Sequence, residues 1–394
     1  MKPIHIIFLL IVNSLYTYEG ILNDTNCQWE FPIKFYVGYA LDGDAIRKAF
    51  QTIMHYTCLK FEETIYFYNE TQHGLRFYKG NHSYSDSIGR KKNLSLNFIY
   101  LNDKYKSNQA MIQSLIFLAL GIFPEQTRSD RDKYVHIYWG NISHGANMIY
   151  FNKTNTTYAP EYDTHYDFGS TVHFTGISFS NTYNETISAY GWYHETYQEM
   201  MGQKIVVSFN NYKLLNRHYC KNKCNNTLGC WRNGYENPKK CDECICPYPF
   251  TGRICNGIKP SGYYCPFTHR VVGNRYQYDT FQWYYYCYAY IEASEKHLKV
   301  ELTILEIIDV DFKSPCARSK NMIEVKYKKE KDVMGLCFCS NRNLPYKIVS
   351  EDNLMVILYR SDKYYQRIKI KYRSVYHNNL DKVNHSYGQI NISE

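Results

Sequence analysis

The sequence predicts three consecutive structural units: a large α+β domain, a small disulfide-rich module and an all-β sandwich. The spacing of the 14 cysteines supports this division. Only Cys27 and Cys58 precede residue 220, whereas six cysteines crowd between residues 224 and 255 and five more are spread from 265 to 339. A long stretch with few cysteines can form its own hydrophobic core, but a very short stretch with six of them must be held by cross-links.

The first 19 residues are typical of a secretory signal peptide. Lys2 precedes an apolar run from Ile6 to Val12 that is too short to span a bilayer. No later apolar run reaches the roughly 18 residues that a membrane helix needs. Secretion makes disulfide bonds the expected state of the cysteines, and 11 Asn-x-Ser/Thr sequons agree with a glycoprotein. We therefore predict a secreted, extracellular protein without a membrane span.

The overall charge excludes one class of partner. The net charge is +9 over 394 residues. This bias is too weak and too dispersed to indicate nucleic-acid binding.

The large first domain carries two helix signals. Asp42 and Asp44 offer N-caps to a segment in which Ile46, Phe50 and Ile53 recur at helical spacing. Residues 111–123 are apolar on every face, which predicts a helix that is buried all round and ends near Gly121.

The last part of the chain is predicted to form β-structure. Residues 300–312 are rich in β-branched side chains, and residues 366–373 alternate apolar and basic side chains. The basic face of the second segment either binds an anionic glycan or is an ordinary solvated strand face; its members are Arg367, Lys369, Lys371 and Arg373. Residues 376–394 are polar and predict a loose tail.

Residues 114–137 and 166–174 carry a resemblance to a known family. The first segment, SLIFLALGIFPEQTRSDRDKYVHI, resembles the active-site segment of astacin-family zinc metalloendopeptidases, HExxHxxGxxHEQxRxDRD. The second, YDFGSTVHF, resembles the Met-turn of that family, and residues 201–220 resemble the end of its peptidase domain. The resemblance implies an astacin-like (metzincin) α+β domain over residues 27–220. The matching positions of the first segment are Gly121, Glu125, Gln126, Arg128, Asp130, Arg131 and Asp132.

The chain departs from the family at the catalytic positions. The three zinc-binding histidines correspond to Ser114, Leu118 and Pro124, and the catalytic glutamate corresponds to Leu115. In the Met-turn, the methionine position is Val172 and the tyrosine position is Phe174. Leucine and proline side chains offer zinc no lone pair. We therefore predict that the chain holds no zinc and is not an enzyme.

An active enzyme with other ligands is the alternative. It would be a zinc metalloendopeptidase that uses non-standard side chains. Its candidate ligands are the five histidines of the first domain, and His194-Glu195 begins a near match to HExxH in which Gln198 takes the place of the second histidine; the five are His136, His144, His165, His173 and His194.

The downstream units resemble modules that follow astacin domains. Residues 221–256, with the ending CICPYPFTGRIC, resemble an EGF-like module, and residues 263–375 resemble a CUB domain. These resemblances leave Cys27 without an assigned partner. They imply the disulfides Cys58–Cys220, Cys224–Cys241, Cys230–Cys244, Cys246–Cys255 and Cys265–Cys287, and pair Cys316 with Cys337 or Cys339.

The predicted function is binding. We expect a secreted, catalytically inactive astacin-like homologue that binds an extracellular protein or peptide, with an anionic glycan as a further candidate partner. A cleft of this kind can bind an extended chain by adding it to a sheet edge.

Overall fold

The computed structural model describes residues 20–66, 73–92, 95–146, 148–154, 162–225, 228–283, 286–308, 315–319, 321–340 and 344–376. The predicted signal peptide and all of the predicted tail except Tyr376 lie outside these residues. In the described part of the chain, no helix is long and apolar enough to cross a membrane.

The first half of the α+β domain is a five-stranded sheet with two helices. The sheet order is β2-β1-β3-β5-β4, and only the edge strand β4 is antiparallel to its neighbour. The strands are β1 (Ile33–Val37), β2 (Phe61–Glu63), β3 (Leu75–Lys79), β4 (Tyr84–Ser85) and β5 (Asn97–Leu101).

Helices α1 (Gly43–Tyr56) and α2 (Gln109–Ala119) pack against each other, and α2 also packs on β4 and β5. Asp42 caps α1 by accepting a hydrogen bond from the backbone N–H of Ala45, as the sequence predicts. Asn108 caps α2 in the same way, through the N–H of Met111. The α2 helix is buried on nearly all sides and ends before Gly121, whose φ of +101° favours glycine.

The second half of the domain has little regular structure. A short antiparallel pair joins β6 (Val135–Ile137) to β7 (Ile187–Ala189). Helices α3 (His194–Met200) and α4 (Phe209–Tyr219) follow. A disulfide from Cys58, after α1, to Cys220, after α4, ties the two ends of the domain together.

The disulfide-rich segment contains two small strand pairs. The first pair is β8 (Tyr235–Asn237) with β9 (Lys240–Ile245), and the second is β10 (Phe250–Thr251) with β11 (Gly257–Ile258). Three disulfides hold this segment: Cys224–Cys241, Cys230–Cys244 and Cys246–Cys255.

The last unit is a sandwich of two sheets, which confirms its all-β character. The five-stranded sheet has the order β12-β14-β19-β16-β17 and the four-stranded sheet the order β13-β20-β15-β18. The strands are β12 (His269–Val272), β13 (Gln277–Gln282), β14 (Tyr286–Ala293), β15 (Lys299–Ile308), β16 (Met322–Lys326), β17 (Leu336–Phe338), β18 (Tyr346–Val349), β19 (Leu354–Arg360) and β20 (Arg367–Val375).

Two further disulfides lie in the sandwich. Cys265 is bonded to Cys287, and Cys316 is bonded to Cys339. The sequence did not decide whether Cys316 is bonded to Cys337 or to Cys339. All 14 cysteines are described, and the two without a disulfide, Cys27 and Cys337, are both buried.

One hairpin of the sandwich docks on the α+β domain. The segment between β16 and β17, residues 327–335, carries Asp332, which forms an ion pair with Lys213 of α4 at 3.0 Å. Both side chains are fully buried. The backbone N–H of Met334 donates to Asp167 at 3.2 Å, and the Lys328 ammonium lies over the rings of Tyr134, Phe168 and Tyr197. The two units therefore share one polar and hydrophobic interface.

Candidate functional site

Helix α2 presents an apolar surface where the sequence predicts the altered zinc positions. Ser114 and Leu115 are each 3% exposed, and Leu118 is half-buried. Leu115 and Val172 belong to one hydrophobic cluster, and Leu118 packs against it. The Ser114 hydroxyl donates to the carbonyl of Met111 at 2.8 Å. These side chains pack with their neighbours rather than converge on a shared point.

The residues at these positions do not fit a zinc ion. Ser114 already uses its hydroxyl within the helix, and Leu118 and Pro124 have no donor atom. Within the described residues, no group of three or more His, Cys, Asp or Glu side chains is placed to hold a metal ion.

The five candidate histidines lie apart. His136 and His144 are exposed, on β6 and in the loop that follows it. His194 begins α3 and is exposed, and Gln198 of the same helix hydrogen-bonds to the backbone of Ala189 and Ile187. His165 lies 3.4 Å from Asp332 at the interface with the sandwich.

Aromatic side chains gather around Phe174, and we call this cluster the aromatic wall. Phe174 packs against Tyr150 at 5.6 Å and Phe179 at 5.6 Å between ring centroids. Burial raises the pKa of Tyr150, and the carboxylate of Asp86, just after β4, raises it further. Exposed apolar side chains extend the wall: Met148 is 40% exposed, Ile149 41% and Phe179 41%. Apart from Phe174, the residues of this wall could not be predicted from the sequence, because no local pattern distinguishes them.

The charged residues shared with the family pattern form a buried network beside the wall. Arg128 makes two hydrogen bonds to Asp130, at 2.9 and 3.1 Å. Glu125 accepts from the N–H of Asp167 at 3.1 Å, and burial raises the pKa of Glu125 to about 7. The Arg131 guanidinium donates to the backbone carbonyls of Gln126 and Phe151. The network joins residues 125–132 to the Met-turn-like segment and therefore has a positioning role.

His173 is completely buried beneath this segment. Its Nδ1 donates to the carbonyl of Phe174 at 2.8 Å, so its Nε2 accepts from the Tyr166 hydroxyl at 2.7 Å. Burial lowers the pKa of His173 to about 4. The folded protein therefore keeps this ring neutral at pH values where the unfolded chain is protonated.

This pKa shift predicts a loss of stability in acid. As the pH falls below 6.5, the unfolded chain takes up a proton at His173 before the folded chain does, so stability is lost between about pH 6.5 and pH 4. Through His173, the free energy of unfolding measured in urea should fall by about 2 kcal/mol between about pH 7.5 and pH 5. His173→Gln preserves one donor and one acceptor, and we expect it to abolish this part of the decrease. His136→Gln, at an exposed position, is the control. Equal pH dependence in His173→Gln and the unmodified protein would contradict the assignment.

The basic face of β20 is partly neutralised. Arg367 pairs with Glu306 at 2.8 Å and Arg373 pairs with Glu301 at 3.1 Å. Lys371 lies over the ring of Tyr276. Ile368, Ile370 and Tyr372 are buried on the opposite face, as the alternation predicts.

Comparison with known proteins places the first domain in a family. The peptidase family Astacin matches residues 21–220. Zinc metalloproteinase nas-34 of Caenorhabditis elegans is 27% identical over 340 residues, which cover 84% of this chain and 53% of that protein. Zinc metalloproteinase dpy-31 of the same species is 30% identical over 251 residues, which cover 62% of this chain and 42% of that protein.

Among solved structures, high choriolytic enzyme 1 of the medaka fish Oryzias latipes, a hatching enzyme zinc-protease, matches 49% of this chain and 94% of its own. Its TM-score is 0.41 and its identity 26%. The chain spans about half the length, or less, of the curated relatives it matches.

These comparisons correct one prediction. The prediction that the chain is not an enzyme is contradicted, because the relatives that match the chain are named zinc metalloproteinases. The match covers half of the chain and includes α2, the buried charge network and the Met-turn-like segment. The chain belongs to the astacin family of peptidases.

Proposed function

We propose that this chain is a secreted, modular protein whose astacin domain binds extended polypeptide segments of extracellular proteins. The six disulfides support an oxidising, extracellular compartment. The observation that carries the proposal is the edge strand β4 together with the exposed apolar residues Met148, Ile149 and Phe179 of the aromatic wall.

The geometry suits a peptide bound as an added strand. Within the part of the chain that the structure describes, β4 has a neighbour on one side only, and Tyr84 and Asp86 are exposed on either side of the buried Ser85. An extended peptide that pairs with such an edge gains main-chain hydrogen bonds, and pockets for alternate side chains give specificity. The exposed apolar residues Met148, Ile149 and Phe179 offer contacts to those side chains.

We also propose that the downstream units are an EGF-like module and a CUB-like domain. The order of the three disulfides between residues 224 and 255 and the two-sheet sandwich support this assignment. Two modules after the astacin domain would give a binding protein further surfaces for extracellular partners.

The second candidate function is zinc-dependent cleavage of the bound polypeptide. The names of the relatives favour it. It is tested by incubating the protein with unstructured peptides and identifying the products by mass spectrometry. The zinc stoichiometry of the purified protein is measured as well. Cleavage that a chelator abolishes and zinc restores would establish this candidate.

The binding proposal predicts a selective effect of charge on the wall. We expect Ile149→Glu to weaken the binding of extended peptides by about tenfold, because a carboxylate replaces an apolar contact worth more than about 1 kcal/mol. Binding is measured by biolayer interferometry against an immobilised library of unstructured peptides of about 12 residues, long enough to pair with a short edge strand, followed by affinities for the best binders. Ile65→Glu is the matched control, since Ile65 is 84% exposed and lies just beyond β2, the opposite edge strand.

Three outcomes decide the proposal. Tenfold weaker binding by Ile149→Glu with unchanged binding by Ile65→Glu supports it. Equal binding by both variants, or no bound peptide in the library, overturns it.

A further inference from the structure

A cavity lies at the junction of all three units, and none of the residues proposed to bind a peptide lines it. Its volume is about 320 Å³. The α+β domain contributes Tyr56 and Phe209, the disulfide-rich segment contributes Tyr248 and Phe250, and the sandwich contributes Tyr288 and Tyr359. Cavities of this size with aromatic walls, placed between domains, are where small molecules bind most often.

The walls carry positive charge and no negative charge. Three cationic residues line the cavity, namely Lys259, Arg318 and Arg360, and no Asp or Glu lines it among the described residues. Arg318 is already compensated by the buried Glu324, at 2.6 Å and 2.9 Å. Lys259 and Arg360 are exposed, and neither forms an ion pair with any described carboxylate. An apolar ligand alone would leave these two charges without a partner.

Two of the cations are held at the cavity by one aromatic ring. The Lys259 ammonium lies 4.8 Å and the Arg318 guanidinium 4.7 Å from the ring centroid of Tyr248. The Tyr248 hydroxyl donates to the hydroxyl of Tyr288, which connects the disulfide-rich segment to the sandwich. The Tyr248 ring, which contacts Tyr288 of the sandwich, therefore positions Lys259 and Arg318 at the cavity.

We propose that this junction cavity binds a small amphipathic carboxylate, with its aromatic body between the tyrosine and phenylalanine rings and its carboxylate at Lys259 and Arg360. The rings match a flat apolar group in area and shape. A carboxylate supplies the negative charge that the walls lack, and hydrogen bonds between ionised partners are the stronger kind.

The test uses 2-naphthylacetate and its neutral analogue 2-naphthylacetamide with the full chain. We expect isothermal titration calorimetry to give one site per chain for the carboxylate, with a Kd of about 1 mM or tighter for a ligand of this size. The amide should bind at least fivefold more weakly. Lys259→Gln combined with Arg360→Gln should weaken carboxylate binding at least fivefold.

The control removes the same charge elsewhere. Arg275→Gln combined with Lys369→Gln lies outside the cavity lining and should leave the affinity unchanged. Val207→Phe, which narrows the cavity from the α+β side, should weaken both ligands. Equal affinities for carboxylate and amide, an unchanged affinity in the Lys259/Arg360 variant, or no binding at about 5 mM ligand, about five times the expected Kd, would each overturn the proposal.

Discussion

Replacement of Lys213 by methionine is expected to lower the free energy of unfolding by about 3 to 5 kcal/mol. Lys213 and Asp332 form an ion pair in which both side chains are fully buried. Without Lys213, Asp163 keeps Arg217 at 2.7 Å, but Asp332 is left with His165. The His165 contact is 3.4 Å long and is not a well-formed hydrogen bond, because neither facing atom has a hydrogen-bond partner. A buried carboxylate would thus lose its principal partner.

Urea unfolding followed by tryptophan fluorescence measures the effect. The double variant Lys213→Met with Asp332→Leu removes both charges, and we expect it to regain most of the lost stability. Arg217→Met is the matched control at a more exposed ion pair and should lower the free energy of unfolding by about 1 kcal/mol or less. If Lys213→Met lowers the free energy of unfolding by no more than Arg217→Met does, the interface between the astacin domain and the sandwich is not closed in solution as described.

Introduction of the family side chains at four positions is expected to create a zinc site. The variant combines Ser114→His, Leu115→Glu, Leu118→His and Pro124→His. Ser114 and Leu118 are four residues apart on α2, so histidines there would share one helix face, and the third would follow Gly121. We expect about one zinc per chain by elemental mass spectrometry and a higher melting temperature in zinc.

A variant without the Leu118→His change is the control and should not retain zinc through gel filtration. Because Leu115 is buried, a glutamate there carries a risk of misfolding, and circular dichroism checks the fold. The two-histidine variant, Ser114→His with Leu118→His, leaves Leu115 intact and should still bind zinc, more weakly than the full set. If the four-residue variant and the two-histidine variant both fold but bind no zinc, these positions do not correspond to the family ligands.

Local elements could be predicted because their signals are local. The Asp42 cap and the spacing of Ile46, Phe50 and Ile53 suffice for α1, and the alternation in residues 367–373 suffices for β20. The α2 helix follows from its continuous apolar run and from Gly121. Each of these patterns spans only a few turns or pleats and needs no knowledge of distant partners.

Contacts between distant residues could not be predicted. Lys213 and Asp332 are ordinary charged residues in the sequence, and only the docked hairpin buries both. Cys337 and Cys339 are two residues apart and lie in or beside the same strand, so spacing alone could not choose the partner of Cys316. The aromatic wall could not be predicted for the same reason, since Tyr150 and Phe179 meet through loops without periodicity.

The docked hairpin also sets an order of events during synthesis. Lys213 and its partner Asp332 are separated by 119 positions in the sequence. At about 5 to 20 residues per second, the ribosome needs about 6 to 24 s to add that stretch. During this interval Lys213 of the nascent astacin domain cannot yet pair with Asp332, so the buried ion pair forms only after the sandwich hairpin has been synthesised. A chain truncated before residue 327 would lack this ion pair altogether.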